Sequence, residues 1–316
     1  MTWCPPSAPI CLPFRSCTDQ TPALLSWRRR SACGEPPPRR KLPATVTPLI
    51  TLELQQQLAT ARRTGSDVLD CSLDLGRSRT QVRPSADYWS WEDARFPYLQ
   101  ECRERSIYYW SGTQFQVAAR YSGALIKLIP TCWGAPTFEI DGIKMLPSER
   151  VSPYEDAAQK VRLITPRGKI ILDTCGGLGY FAASCLSAGA ASVLSFEKND
   201  AVLWLRTLNP WSPGADARLK LALGDISAEI RQLPDASVDA ILHDPPRFGI
   251  AGELYARSFY DELYRVLKRR GRLFHYTGNP NMITSGRNVP REVSRRLSAA
   301  GFEPQIRGDA VLASKA

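Results

Sequence analysis

Four acidic residues stand at wide, similar intervals in the C-terminal half of the chain, and each closes a short apolar run: Ile170-Ile171-Leu172 before Asp173, Val193-Leu194-Ser195-Phe196 before Glu197, Leu221-Ala222-Leu223-Gly224 before Asp225, and Ile241-Leu242-His243 before Asp244. A carboxylate at a strand tip accepts protons from a ligand lying across the strand ends. Glu197 lies 24 residues after Asp173, close to the roughly 20-residue interval of an acid that binds ribose hydroxyls. Asp225, 28 residues further on, supplies an acceptor for an adenine amino group, with Ile226 as apolar neighbour for the ring. Any one of these acids is explained as a helix cap; four in succession are not. Asp173 also opens Asp173-Thr174-Cys175-Gly176-Gly177-Leu178-Gly179, where glycine removes the Cβ that would keep a ligand from the turn. A tight strand-to-helix turn would use the same glycines.

The elements that position these residues follow from the rhythm of apolar positions. Short apolar runs at 169–174, 192–197, 219–224, 238–243 and 271–276 alternate with helical patterns at 178–188, 200–208, 226–232, 254–268 and 290–300, which predicts a parallel, doubly wound α/β sheet. A final pair near 302–307 and 310–313 closes it as an antiparallel hairpin. Ahead of it, a helix is expected over 154–164, capped by Ser152 with Pro153 at its first position. Residues 49–63 carry a helical apolar period, 69–75 alternate as a half-buried strand, and further strands are expected at 107–110, 115–117 and 125–128, divided by turns at Gly112 and Gly123. The expected organisation is a leader at 1–48, a small, mainly β N-terminal α+β domain at 49–150 and an α/β domain at 151–316.

The glycine-rich loop, Glu197, Asp225 and Asp244-Pro245-Pro246, in this order, resemble class I S-adenosylmethionine-dependent methyltransferases over about residues 160–316. The resemblance implies a Rossmann-like seven-stranded domain with S-adenosyl-L-methionine as cofactor. It implies that Gly176, Gly177 and Gly179 wrap the methionine part with Cys175 in the same loop, that Asp173 holds the amino group directly or through water, that Glu197 holds the ribose and that Asp225 with Ile226 holds the adenine. Lys198 adjoins this set, although a solvent-facing lysine is the preferred reading. A nicotinamide dehydrogenase competes, but its GxGxxG spacing is replaced here by Gly-Gly-Leu-Gly.

Asp244-Pro245-Pro246-Arg247-Phe248 is similar to the Asp/Asn-Pro-Pro-aromatic motif of enzymes that methylate planar amino nitrogens. Such an amine delocalises its lone pair into the ring, so attack on a methyl sulfonium needs acceptors that draw its N–H groups out of plane, a task suited to the Asp244 carboxylate and the Pro245 carbonyl. Arg247 departs from the motif by standing where the aromatic belongs. Phe248 stacks the base through an altered turn, or Arg247 does so by its guanidinium or binds a phosphate. Alternatively, the prolines simply end the strand.

A narrower resemblance, to a family of predicted methyltransferases best represented in archaea, rests on Asp74-Leu75-Gly76-Arg77-Ser78, Ile140-Asp141-Gly142-Ile143-Lys144-Met145, Leu172-Asp173-Thr174-Cys175, Asn209-Pro210-Trp211-Ser212, His243-Asp244-Pro245-Pro246-Arg247-Phe248 and Phe274-His275-Tyr276-Thr277-Gly278. Leu146 stands where members often carry histidine. The resemblance implies an RNA substrate, ribosomal or transfer RNA, with N4 of a ribosomal cytidine as the favoured acceptor. His275 and Tyr276 are candidate acceptor-pocket residues, with a structural role for the histidine equally open. Trp211 is equally a base platform or a plug over the cofactor.

The chain has 316 residues and a net charge of +10. Residues 1–50 hold seven Lys/Arg against Asp19 and Glu35, so half of the excess comes from the first sixth of the chain, and the basic balance lends RNA only weak support. Residues 1–48 also hold ten of the 25 prolines and are expected to be disordered; a misassigned start is preferred there to an organelle transit peptide. Nine cysteines without a CxxC pair and only His243 and His275 suggest neither disulfide framework nor metal centre. No apolar run is long enough for a membrane helix. A cytoplasmic enzyme is expected, with organelle import if the leader is genuine. The competing activities are a spermidine synthase-like aminopropyltransferase, against which no second acidic cluster suited to a polyamine is visible in the sequence, and a small-molecule N-methyltransferase. A degenerate, non-catalytic RNA-binding domain is opposed by the intact glycines and acids.

Overall fold

Alternation along each central strand decides the architecture. Ile171, Ala240, Leu242 and Phe274 fall in one apolar cluster, whereas their neighbours Leu172, Ile241 and Leu273 fall in another, so both faces of the strands are buried and each must be covered by helices. In the structure, a computed structural model that describes residues 47–278 and 288–316, helices do cover both. The expected leader lies outside the described residues apart from Thr47 and Pro48.

The N-terminal region forms three small antiparallel sheets. The first is β1 (Leu49–Ile50), β6 (Tyr108–Trp110) and β7 (Phe115–Val117); the second β2 (Leu69–Cys71), β3 (Thr80–Pro84), β4 (Tyr88–Trp91) and β5 (Ala94–Pro97); the third β8 (Ala119–Tyr121), β9 (Leu125–Ile129), β10 (Thr137–Ile140) and β11 (Ile143–Lys144). Helix α1 (Leu52–Thr64) starts at Thr51, whose hydroxyl accepts from the Leu54 amide, and stops at Gly65 in the left-handed region. The expected helix at 49–63 therefore gives its first two residues to a strand. The strand expected at 69–75 ends at Cys71, because the Asp74 carboxylate takes hydrogen bonds from the Ser72 hydroxyl and from the Ser78 amide and hydroxyl, folding 72–78 into a loop. Leu73 and Leu75 are still buried.

Helix α2 (Pro153–Leu163) leads into the large sheet. Pro153 occupies the first turn as expected, but the Ser152 side chain makes no capping bond; its carbonyl accepts from the Asp156 amide at 2.9 Å. The sheet comprises β12 (Ile170–Asp173), β13 (Ser192–Glu197), β14 (Leu219–Leu223), β15 (Val238–His243), β16 (Leu267–Tyr276), β17 (Glu303–Arg307) and β18 (Ala310–Ser314), in the order β14-β13-β12-β15-β16-β18-β17. The first five are parallel, and β18 is antiparallel to both its neighbours. Helices α2, α3 (Tyr180–Ser187) and α4 (Asp200–Leu208) pack on one face; α5 (Ile226–Glu229), α6 (Arg257–Val266) and α7 (Val289–Ala299) pack on the other. This is the expected seven-stranded Rossmann-like sheet, with α5 and α6 shortened by flanking 3-10 turns at 230–232 and 252–255.

The N-terminal region and the sheet share a core. Ile126, Leu128 and Phe138 belong to the same cluster as Phe181, Leu205 and Ile171, which brings β9 and β10 to the side of the sheet where the glycine loop lies. Among the described residues, no helix is long and apolar enough to cross a membrane and no cluster of metal-ligating side chains is formed.

Candidate active site

The sheet order sets the site. β12 lies between β13 and β15, with Asp173 level with Ser195 on one side and Leu242 on the other. The tips of β12, β13, β14 and β15 therefore follow one another along one edge, carrying Asp173, Glu197, Asp225 and Asp244.

The glycine loop is tied into this edge by its backbone: Thr174 N–H donates to the Leu242 carbonyl at 3.0 Å and Gly176 N–H to the Phe196 carbonyl at 2.7 Å. Its glycines are demanded first by the protein itself. A Cβ at Gly176 would stand 2.4 Å from the Ser195 hydroxyl, and one at Gly179, which has φ of +84°, 2.5 to 2.7 Å from the Arg206 guanidinium. A Cβ at Gly177 meets only the Phe138 ring, at an ordinary 3.6 Å.

Arg206, near the end of α4, is the part of this region that sequence reading missed. It is buried, its Nη1 and Nη2 have no partner among the described residues, and its charge bears on Asp173 and Glu197. Burial pushes the Asp173 carboxyl up to about 6, against the pull of the Ser195 hydroxyl bond and of Arg206. Asp173 Oδ2 accepts from Ser195 Oγ at 2.8 Å, and Oδ1 is buried without a partner among the described residues. Glu197 is raised by burial and drawn back by backbone N–H groups of Asn199, Gly177 and Lys198: Oε2 accepts from Gly177 N–H and Oε1 from Asn199 N–H, both at 2.9 Å. A carboxylate accepts about four bonds, so Glu197 retains capacity for a hydroxyl.

Asp225 caps α5, its Oδ1 accepting from the Ser227 amide and hydroxyl, while Oδ2 faces Lys198 Nζ at 3.3 Å. The capping role and an open carboxylate edge are thus both present. Lys198 is exposed and lies between Asp225 and Glu253, which matches the preferred solvent-facing reading. Ile226 is buried with Phe196 and Ile230, and Cys175 is partly buried against the same cluster. Burial drives the Cys175 thiol far above its ordinary value. These residues fit an adenosyl sulfonium cofactor: the orphaned Asp173 oxygen suits an ammonium, and Glu197 and Asp225 are acceptors at neighbouring strand tips.

The acceptor end is assembled differently. Asp244, just past β15, places Oδ2 3.3 Å from Lys160 Nζ of α2, which lies 2.8 Å from Asp156 Oδ2 and 4.0 Å from the centre of the Tyr276 ring. Asp309, in the β17–β18 turn, adds its charge at Asp244 and Tyr276. Burial, then Asp156 and Asp309, push the Asp244 carboxyl above its ordinary value while Lys160 opposes them. Burial disfavours the Lys160 charge, but Asp244 and Asp156 outweigh it and hold the ammonium protonated. The Tyr276 phenol is pushed up to about 12, chiefly by burial. The second acidic cluster that the sequence did not reveal therefore exists, as Asp156, Asp244 and Asp309, with Lys160 in contact with two of its members. No spacing rule could have found it: Asp156 and Lys160 look like an exposed i,i+4 pair.

Pro245 is buried, and the Pro246 carbonyl accepts from Tyr255 Oη at 3.0 Å. The Arg247 carbonyl accepts from the Ile250 and Ala251 amides, so the chain turns directly after the prolines. Phe248, 40% exposed, meets Tyr255 edge-on at 5.4 Å with Arg296 beside its ring. Arg247 is partly buried.

His275 is in the core, not on a pocket wall: it is fully buried, with Nε2 2.9 Å from Tyr260 Oη and Nδ1 2.9 Å from the Tyr276 carbonyl. A carbonyl can only accept, so Nδ1 carries the proton and the Tyr260 hydroxyl donates to Nε2. Burial holds this imidazole down to about 4. His243, 4.4 Å away ring to ring, is equally buried and held well below its ordinary value by burial and by His275; its Nε2 faces the Leu254 carbonyl and its Nδ1 the Thr174 hydroxyl. The pair is a neutral strut beneath the acceptor loop. Trp211, partly buried, is a brace. Its Nε1 donates to the Leu75 carbonyl at 3.1 Å, Arg77 lies over its ring, and Tyr154 packs against it. Two separated sequence blocks, 74–78 and 209–212, thus meet in one seam.

A sequence family described as S-adenosyl-L-methionine-dependent methyltransferase matches residues 205–307. The uncharacterized protein MJ1233 of Methanocaldococcus jannaschii is 41% identical over 214 residues, covering 66% of this chain and 73% of the relative. Polyamine aminopropyltransferase 2 of Streptomyces coelicolor is 38% identical over 76 residues, 23% of this chain and 14% of that protein. Among solved structures, spermidine synthase in complex with the transition-state analogue AdoDATO superposes with a TM-score of 0.51 at 20% identity, covering 63% of this chain and 73% of that one, which is a likeness of fold. With its strand order, glycine loop and strand-tip acids, the chain belongs to the class I S-adenosyl-L-methionine-dependent methyltransferases, in one family with the archaeal protein, and S-adenosyl-L-methionine is its cofactor.

Proposed function

We propose that this protein methylates a planar exocyclic amine of an RNA base, with N4 of a ribosomal cytidine as the favoured acceptor. The observation that carries this reading is the position of Asp244: it follows the strand registered beside β12, next to the glycine loop, and an exposed aromatic ring, Phe248, stands four residues on. When bound, the cofactor supplies an electrophilic methyl sulfonium. Asp173, Glu197 and Asp225 hold its polar groups, with Gly176, Gly177, Gly179, Cys175 and Ile226 around it. Asp244 and the Pro245 carbonyl accept the two N–H groups of the amine and localise its lone pair; Asp244 accepts the proton released on transfer. Phe248, backed by Tyr255, is the stacking face, and Arg247 and Arg296 serve the phosphates beside it. Orientation is the main contribution, because nitrogen, methyl carbon and sulfur must approach a line.

Aminopropyl transfer to a polyamine is the second reading, favoured by the Asp156, Asp244 and Asp309 carboxylates and by the short match to a polyamine aminopropyltransferase. Against it, the chain's own ammonium, Lys160, is already paired with two of these carboxylates. Mass spectrometry of RNA nucleosides and polyamines from cells with and without the gene separates the two. Loss of a methylated nucleoside with polyamines unchanged is expected; an intact nucleoside profile with altered polyamines would replace methyl transfer by aminopropyl transfer.

A further inference from the structure

The loop of Asp244-Pro245-Pro246 says which carboxylate meets the acceptor but not what holds it. We infer that Lys160 is the positioning residue of the acceptor site: its ammonium, clamped between Asp156 and Asp244 over the face of Tyr276, fixes the direction of the Asp244 carboxylate and keeps it ionised until it takes the acceptor's proton. The inference rests on the reading of Asp244 given above.

The geometry carries it. Lys160 is nearly buried, with Nζ 2.8 Å from Asp156, 3.3 Å from Asp244 and 4.0 Å from the Tyr276 ring centre. A lysine on the last turn of a helix ordinarily reaches water; this one turns inward, with its ammonium over the ring. Asp156 anchors it one helical turn away, an i,i+4 contact that leaves the ammonium little choice of direction. Facing Asp244 are Lys160 and Asp156 of α2, Cys175 of the glycine loop, Tyr276 at the end of β16 and Asp309 of the hairpin turn. Among these described residues only Lys160 is cationic. Burial and two neighbouring carboxylates all drive Asp244 toward its neutral form, in which it has lost acceptor capacity for the amine. One buried ammonium opposes that pressure. Its own charge is secured in turn, because Asp156 and Asp244 outweigh the cost of its burial.

The test reads Asp244 directly. In protein carrying 13C at the aspartate side-chain carboxyls, the Asp244 resonance is identified by its loss in Asp244→Asn and followed against pH. Lys160→Met is expected to raise its midpoint by about one pH unit or more, the usual effect of an adjacent opposite charge. Lys160→Arg restores most of that change. Asp156→Asn, which keeps the ammonium and removes a like charge, lowers the midpoint; it serves also if Lys160→Met does not fold. A midpoint unmoved in every folded variant overturns the inference. Methyl transfer to RNA from cells lacking the gene adds a second readout. The acid limb of kcat should move upward with the midpoint in Lys160→Met, while calorimetric affinity for S-adenosyl-L-methionine is unchanged. If wild-type protein transfers no methyl to that RNA yet the midpoint moves, the acceptor reading fails and only the hold of Lys160 on the Asp244 charge stands. If transfer occurs and its acid limb stays in place, Lys160 is only structural.

Discussion

The two ends of the site use opposite means to hold a carboxylate. At the cofactor end, Asp173 and Glu197 are fixed by short-range contacts within adjacent strand tips: Ser195 to Asp173, and the Gly177 and Asn199 amides to Glu197. At the acceptor end, Asp244 depends on side chains from three distant segments, α2, β16 and the β17–β18 turn. A backbone cradle serves any member of the family that binds the same cofactor. A cluster of recruited side chains varies without disturbing it, which is the arrangement expected where the cofactor is constant and the acceptor is the variable.

Substitution at the two ends should therefore separate cleanly. Asp244→Asn keeps the shape of the side chain and removes its charge, and should lower kcat roughly 10²- to 10⁴-fold, the usual weight of a positioned acid–base group, with cofactor affinity unchanged. Glu197→Ala should do the reverse: cofactor affinity falls roughly 10- to 150-fold, the loss of a hydrogen bond to a charged group. Single-turnover kinetics and calorimetry on both variants decide it. If Asp244→Asn loses the cofactor as severely as Glu197→Ala does, the two ends are one unit and the separation is wrong.

The cofactor end was the more legible in sequence because its geometry is local. An apolar strand ending in an acid, followed by glycines, can be recognised wherever parallel strands lie side by side, and Asp173, Glu197, Asp225 and Asp244 reach neighbouring tips as expected. What fills the space left by the glycines was not legible. Arg206 is a last-turn arginine of α4, a type that usually complements the helix dipole in solvent; only the packed structure shows it against Gly179. Lys160 and Asp156 were hidden for the same reason, as an ordinary helical ion pair. Asp309 lies in a hairpin turn whose return to Thr277 depends on the β16–β18 register. His275 and Trp211 are tied into the fold in a shared way. Both have polar atoms that the sequence leaves open and the fold satisfies internally, through Tyr260 and the Tyr276 carbonyl for one and the Leu75 carbonyl for the other.

A second contrast appears in acid stability, where the buried histidines and Asp173 should pull in opposite directions. His275 is held down to about 4 from an ordinary 6.5, so below pH 6.5 the unfolded chain binds a proton that the native state refuses, and its contribution is lost as pH falls toward 4. His243 acts in the same sense. Asp173 is raised from 3.8 to about 6, so its contribution is fully present below 3.8 and lost as pH rises through 6. For His275 and for Asp173 the contribution is on the order of 3 kcal/mol, and between pH 4 and 6 these two oppose one another. Urea unfolding across this range should show Asp173→Asn losing more stability toward acid than wild type, and His275→Gln losing less. Curves parallel to wild type for both variants would mean that neither group is charged or neutral as described.

The smallest effect is expected in the seam between the N-terminal region and the sheet. Trp211→Phe retains an aromatic ring for Tyr154 and Arg77 but removes the Nε1 donor, leaving the Leu75 carbonyl without this bond. A stability loss of about 1 kcal/mol follows from one unmade hydrogen bond, read as a lower urea midpoint at unchanged m. Because the ring serves as a brace, kcat and KM for methyl transfer at 25 °C should hardly move while the folded state persists. The opposite result, unchanged stability with KM raised severalfold, would return Trp211 to the acceptor surface. The acceptor would then touch both sides of the seam, and the N-terminal region would take part in substrate selection.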